Sequence, residues 1–262
     1  MPIYLNSTKV GSNASDVHSS VSTKLNKIKI NTTQVWTGIP EIYNTVKNAT
    51  GNITEAQWLE FLNNGCVALA RQLSETSHFI GKNVTINNTV ISTYKSWKIA
   101  DFNHDSSGDT TDLIQNNAIA SYKFGNSQNY SNCDARTYLI NTYLPGFSTD
   151  IKNKIQIMNV STHHNSNGFI TLNDKIKLLS MTEMAVTGAS AYAEGNQYPI
   201  FTSSGTSANT SRVRTGEGAG YNWTRSASSA NYNNIWRVNS DGSLTADQYV
   251  NSRGLVPVIR FA

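Results

Sequence analysis

The sequence predicts an α+β fold, and three observations carry that reading. Helix-capping signatures are few, at Thr54-Glu55-Ala56-Gln57, Asp134, Ser148 and Ser180-Met181-Thr182-Glu183. Between them run many short segments that alternate apolar and polar residues and break at Asn and Gly turns. After Ala185 the chain reads as loop and strand to its end. With 262 residues it can bury a sizeable core. The expected organisation is an N-terminal β attachment segment at 1–38, a linker with a short helix at 39–64, and one large domain at 65–262.

Taken in order, residues 3–10 (IYLNSTKV) and 28–36 (IKINTTQVW) are two copies of one unit, a short alternating strand broken by a polar turn. Gly11 to Thr23 between them is Ser-rich. Two short strands bury no core alone, so this segment is expected to pair with a neighbouring subunit or a larger particle, or else to pack back on the main domain. Residues 39–53 read as a linker with turns. Thr54 opens a helix whose Trp58, Leu59 and Leu62 share one face until Asn64-Gly65 stops it. Val67 to Thr93 alternates and reads as β structure. Asp134 is expected to cap a helix from Ala135 to Tyr143, ended by Pro145-Gly146, and Ser148 to cap a second from Thr149 to Gln156. Lys175 to Leu179 reads as a core strand. The chain closes on Leu255-Val256-Pro257-Val258-Ile259-Arg260-Phe261, an apolar strand whose proline suits an edge or a bulge.

Composition narrows the function classes. Charged residues make up only 15%, with net charge +4 and pI ≈ 9.0. No Lys/Arg stripe interleaves with aromatics, which argues against nucleic acid. No basic start leads into an apolar run and no stretch approaches a membrane span, so assembly in a cytoplasm without membrane insertion is expected. Cys66 sits in an apolar run and Cys133 among polar residues; buried thiols are expected, with a disulfide as the alternative.

Chemistry-bearing constellations are sparse. Asp101, Asn103, Asp105, Asp109 and Asp112 stand at positions 1, 3, 5, 9 and 12 of a loop, the spacing at which an EF-hand-type loop offers oxygens to calcium. Ser106 replaces the usual turn glycine and Asp112 is shorter than a bidentate Glu, so an Asx-rich turn capping backbone N–H groups stands as the alternative. Calcium is the one cofactor candidate. Gly216-Glu217-Gly218-Ala219-Gly220 mimics a phosphate loop, yet Tyr221-Asn222-Trp223 is no helix start. His163-His164 has no carboxylate or cysteine at ligand spacing, His18, His78 and His104 are isolated, and Ser226 and Ser228 have no histidine base. An enzyme is not expected.

Gly216 to Ala262 is where aromatics, arginines and flexible polar residues concentrate, the composition of a recognition surface. An alternating run through Ile235, Trp236, Arg237 and Val238 meets a Ser240-Asp241-Gly242 turn. Trp223 and Trp236 are core candidates. The residues expected on an exposed ligand-binding face are Tyr221, Arg225, Asn231, Tyr232, Asn233, Asn234, Arg237 and Tyr249, with Asp247 and Gln248 beside them, backed by Leu255, Val256, Val258 and Phe261.

The runs YNWTRSASS, NIWRVNSDGSL and NSRGLVPVIRF, with SWKIADFNHDSSGDTTDLI, KFGNSQNYSNCDARTYLINTYLPGFSTDIKNKI and DKIKLLSMTEM upstream, resemble a domain-of-unknown-function family of gut bacteria and their phages. The resemblance covers roughly Gly65 to the end. That family looks related to the C-type-lectin-like fold of formylglycine-generating enzymes, so the resemblance implies a lectin-like domain and a binding habit. Those enzymes rely on reactive cysteines in the C-terminal half, and this chain has none after Cys133. The expectation is therefore a non-enzymatic phage virion protein, in head or tail, forming a homo-oligomer. Its N-terminal segment would attach to other virion proteins while its lectin-like domain meets a host-surface glycan or protein. The alternatives are a bacterial surface or secreted adhesin and a virion protein that only braces its neighbours.

Overall fold

The computed structural model describes residues 39–262 apart from 165–167, 187–190, 204 and 219, together with the backbone of four short strands before residue 37. The chain divides into two compact units, Met1–Asn48 and Ala49–Ala262, and it combines helices with several open sheets, an α+β arrangement.

In the first unit β1 (Ile3–Leu5) pairs antiparallel with β2 (Thr8–Gly11), and β3 (Ile28–Ile30) with β4 (Thr33–Trp36). The duplication read in the sequence reappears as register. Ile3 faces Gly11 and Leu5 faces Thr8; in the second copy Ile28 faces Trp36 and Ile30 faces Thr33, and both copies slip after their first residue. The Ser-rich stretch between the hairpins lies outside the described residues. The expected linker contains a helix, α1 (Glu41–Lys47), which buries Ile42, Tyr43 and Val46. Their i, i+1, i+4 spacing is helical, and the turn was too short to stand out.

The second unit opens with α2 (Glu55–Asn63). Thr54 Oγ1 accepts from Gln57 N at 3.3 Å and Gln57 Oε1 accepts from Thr54 N at 2.9 Å, so the predicted capping box is formed at both ends. Gly65 takes φ +64° and turns the chain into α3 (Cys66–Gln72). This helix corrects the β reading of Val67 onward: Cys66, Val67 and Ala70 make one buried face, and only β5 (Asn83–Thr85) in that region is a strand. Then follow β6 (Ser96–Phe102), β7 (Thr111–Gln115), β8 (Asn117–Ala118) and β9 (Ser121–Lys123). Helix α4 (Asp134–Tyr138) is capped by the Cys133 thiol, which accepts from Arg136 N, one residue earlier than expected; the chain then widens through Leu139–Tyr143 and tightens through Leu144–Gly146. Ser148 caps α5 (Thr149–Lys154) as predicted. Both cysteines are buried and unbonded, and burial pushes each thiol up to about 12.

The remaining strands are β10 (Ile155–Gln156), β11 (Met158–His164), β12 (Gly168–Asp174), β13 (Ile176–Leu178), β14 (Thr215–Gly216), β15 (Asn222–Ala227), β16 (Asn234–Val238), β17 (Leu244–Gln248), β18 (Ser252–Gly254) and β19 (Pro257–Phe261). The first sheet runs β10-β19-β7-β6-β5, with β13 also on β19. Thus the C-terminal strand is interior, not an edge. Pro257 is tolerated because it is the strand's first residue. The second sheet runs β17-β16-β15-β18-β9.

Helix α2 covers the first sheet through stacked aromatics: Trp58 lies 6.0 Å edge-on to Phe261, and Phe61, Phe79 and Phe102 continue the contact at 5.4 and 5.8 Å. A second cluster joins the sheets, with Ala100, Ile114 and Val258 from one and Val238 and Leu244 from the other, closed by Leu179, Met184, Tyr198 and Phe201. Each such large side chain removed from water contributes about 1.5–3 kcal/mol. Truncating Phe61 to Ala would cost about 3–5 kcal/mol through the cavity left behind. Among the described residues, no helix is long and apolar enough to cross a membrane.

Candidate ligand-binding face

The second sheet carries its polar decoration on the face opposite Val238 and Leu244. Arg237 pairs across with Thr245 on one side and Trp223 on the other, and Arg253 pairs with Tyr122. Partners directly opposite share a face. On that face the Tyr221 ring lies beside two guanidinium groups, 4.3 Å from Arg237 Cζ and 5.6 Å from Arg253 Cζ. Asp247 joins them: its Oδ2 accepts from Arg253 Nε at 2.8 Å and lies 3.0 Å from Arg237 Nε, while Asn251 donates to Oδ1 at 2.7 Å. Burial raises the Asp247 carboxyl, yet the bonds from Asn251 and Arg253 and the charges of both arginines hold it below the usual carboxylate range. Two cations and one anion leave the patch net positive and pre-organised. Tyr122 extends it, stacked on Tyr138 at 4.9 Å.

The two neighbouring turns sit side by side, because Tyr249 N donates to Asn233 O at 3.1 Å. Asn231, Tyr232 and Asn233 are exposed, Tyr232 to 71%, whereas Asn234, Arg237, Tyr221 and Tyr249 are half-buried. Leu255, Val256, Val258 and Phe261 are buried as expected. Gln128, which no sequence pattern singled out, ties the first turn down from below: its amide donates to the carbonyls of Ser228, Asn231 and Asn234 at 3.2, 2.9 and 3.1 Å. Trp223 is buried and Trp236 packs on the inter-sheet core.

Arg225 is a correction. It is 1% exposed and points into the protein, where its Nη1 and Nη2 donate to Glu183 Oε2 and Oε1 at 2.6 and 2.9 Å. Exposure was expected from the polar, aromatic composition of this stretch, but all six residues of β15 are buried, and its arginine lies inside with them. Glu183 also accepts from Lys177 Nζ at 2.6 Å and from Ser180 N at 2.9 Å, and Ser180 Oγ accepts from Glu183 N at 3.1 Å. The predicted capping box at Ser180 is therefore present, and its glutamate anchors a buried ion cluster. Glu194 lies beside it, accepting from Ser226 Oγ at 2.6 Å, His163 N at 2.7 Å and Thr162 Oγ1 at 3.0 Å. Burial raises Glu194 more than these bonds lower it.

The five candidate calcium ligands do not converge, which is a second correction. Asp101 accepts from Phe102 N and His104 Nδ1, and Asn103 from Gly108 N. Asp105 accepts from Asn196, and Asp109 pairs with Arg71. Asp112 is buried on β7, bound by Arg260 at 2.5 and 2.8 Å and by Tyr198 OH at 2.7 Å. The oxygens are committed to turn capping and ion pairs, and among the described residues no group of three His, Cys, Asp or Glu could hold a metal. Nor does the glycine run form a phosphate loop, since Tyr221 N donates back to Gly218 O and a strand follows. His163 lies in a strand and stacks on Tyr192 at 3.4 Å.

Residues 109–261 match the family model described as Domain of unknown function (DUF6273). The match spans more than half of the chain, which therefore belongs to that family. No curated protein and no solved structure gives a significant match.

Proposed function

We propose that this member of the DUF6273 family is a non-enzymatic phage virion protein whose large unit is a lectin-like domain that displays the open face of the second sheet to a host-surface glycan. The observation that carries the reading is the Tyr221–Arg237–Arg253–Asp247 cluster, assembled before any ligand arrives and flanked by the exposed Tyr232 and Tyr122. Aromatic rings offer sugars an apolar platform, and fixed guanidinium groups offer hydrogen bonds to hydroxyl and carboxylate oxygens at little entropic cost. Asp247 keeps the two arginines from repelling one another. The buried glutamates Glu183 and Glu194 are committed to arginine, lysine and hydroxyl partners, which favours display over catalysis.

The lectin-like reading rests on the helices packed among short strands, and on the long connection from Leu179 to Asn222 beside a sheet whose interior holds the last strand. The duplicated hairpins suit attachment, since hairpins this short need outside pairing for stability. Virion partners and a homo-oligomeric state belong to this proposal. Mass spectrometry of purified particles tests it: the chain should be present in fixed stoichiometry, and Arg237→Ala particles should assemble yet adsorb poorly. Particles that lack the chain, or Arg237→Ala particles with unchanged adsorption, would refute it.

A further inference from the structure

Three buried polar groups that the ligand face does not use line a single small cavity between the second sheet and the Leu179–Asn222 connection. Arg212 is 1% exposed; its Nε donates to Met184 O at 3.1 Å and its Nη1 to Gly205 O at 2.9 Å, and its Nη2 has no partner. Arg214 is 8% exposed; its Nη1 donates to Val213 O at 2.8 Å and Ser211 O at 2.9 Å, and its Nε has none. Asn222 gives its amide to Arg214 O at 3.2 Å and keeps an unpartnered carbonyl oxygen, which occupies the space a Cβ on Gly254 would need. The other walls are apolar, among them Leu179, Phe201, Val238 and Val256.

Every other guanidinium buried in this unit has a carboxylate: Arg225 has Glu183 and Arg260 has Asp112. Among the described residues none comes within ion-pair distance of Arg212 or Arg214. Arginine does not escape the cost of burial by losing its proton at neutral pH; burial lowers Arg214 only to about 10. Two cations with idle N–H donors, beside one unpartnered amide oxygen and otherwise apolar walls, leave a net positive charge that calls for an anion. The free space is small, and the monatomic halides are the common anions that need the least room. A water molecule would fill the space and leave the charge.

We propose that the cavity binds one halide-sized monovalent anion, chloride in a cell, held between Arg212 and Arg214. Bound there, it would clamp the 205–214 segment onto the second sheet, with the Arg214 cation also 5.8 Å from the Phe201 ring centroid.

The test is thermal unfolding of the full chain in sodium chloride, sodium bromide and sodium gluconate at equal ionic strength. The proposal predicts a rise of about 3–6 °C for each tenfold increase in chloride or bromide beyond half-saturation, and none in gluconate. Arg214→Met should abolish the difference between the salts, whereas Arg71→Met, which removes the same charge from an exposed ion pair, should keep it. If Arg214→Met does not fold, crystals of the unaltered chain in bromide decide, with an anomalous peak expected between Arg212 and Arg214. Equal melting temperatures in chloride and gluconate, or a cavity with no anomalous signal, would overturn the proposal in favour of a trapped water.

Discussion

Replacing Arg225 by Met should destabilise the protein without touching its ligand face. Arg225 supplies two of the hydrogen bonds that Glu183 receives, at 2.6 and 2.9 Å, and a third to Leu178 O at 2.8 Å. Its loss leaves Glu183 buried with Lys177 as its only cation and leaves the Leu178 carbonyl without that donor. Breaking one side of a buried ion pair costs about 3–5 kcal/mol. In a unit of this size each kcal/mol lowers the melting temperature by about 2–4 °C, so a fall of about 6–20 °C is expected. Lys177→Met should cost less, because the bidentate Arg225–Glu183 pair survives. Differential scanning calorimetry on the purified chain measures both. A cost below about 1 kcal/mol for Arg225→Met, or loss of ligand binding in a chain that melts normally, would refute a purely structural role for Arg225.

Acid unfolding should follow Glu183. Burial pushes its carboxyl up, but the charges and hydrogen bonds of Arg225 and Lys177 bring it down from 4.5 to about 2. Its contribution to stability is thus full above about pH 4.5 and is lost as pH falls toward 2. Melting curves across that window should be steep for the native chain and flatter for Glu183→Gln. Glu194 is raised, so its sign is opposite: the stability it lends is present below 4.5 and lost as pH rises through its folded value. Glu194→Gln should accordingly be tolerated better at neutral pH than Glu183→Gln. Calcium and EDTA should leave the melting temperature unchanged, since Asp101, Asn103, Asp105, Asp109 and Asp112 are each engaged elsewhere; a restorable loss in EDTA would reinstate the metal loop. Gly242→Ala should cost about 3 kcal/mol or more in denaturant titration, because φ is +79° and an added Cβ would lie 1.9 Å from Asn209 O.

Local signals were legible, and partners distant in sequence were not. The boxes at Thr54 and Ser180 and the turn at Ser240-Asp241-Gly242 close over three or four residues, so their chemistry is written where they act. Arg225 and Arg237 stand in similar aromatic surroundings, and only Glu183, 42 residues away, decides that the first is buried. Asp112 looks like the last ligand of a loop until Arg260 arrives from 148 residues along. The Tyr221 cluster was half readable: Tyr221 and Arg237 were candidates, but Arg253 enters because β18 pairs with β15. Gln128 and the Arg212–Arg214 cavity carry no pattern at all, since their roles come from what the fold leaves unpaired or gathers beneath a turn.

The most direct test of ligand display is a glycan array probed with the purified chain and with Arg237→Ala. Arg253 still pairs with Asp247 in that variant, so its melting temperature should change little. Ligand display by this face requires a defined set of bound glycans for the native chain and at least about a tenfold weaker Kd for the variant, about 1.4 kcal/mol. Equal binding by the two proteins, at equal melting temperature, would contradict it.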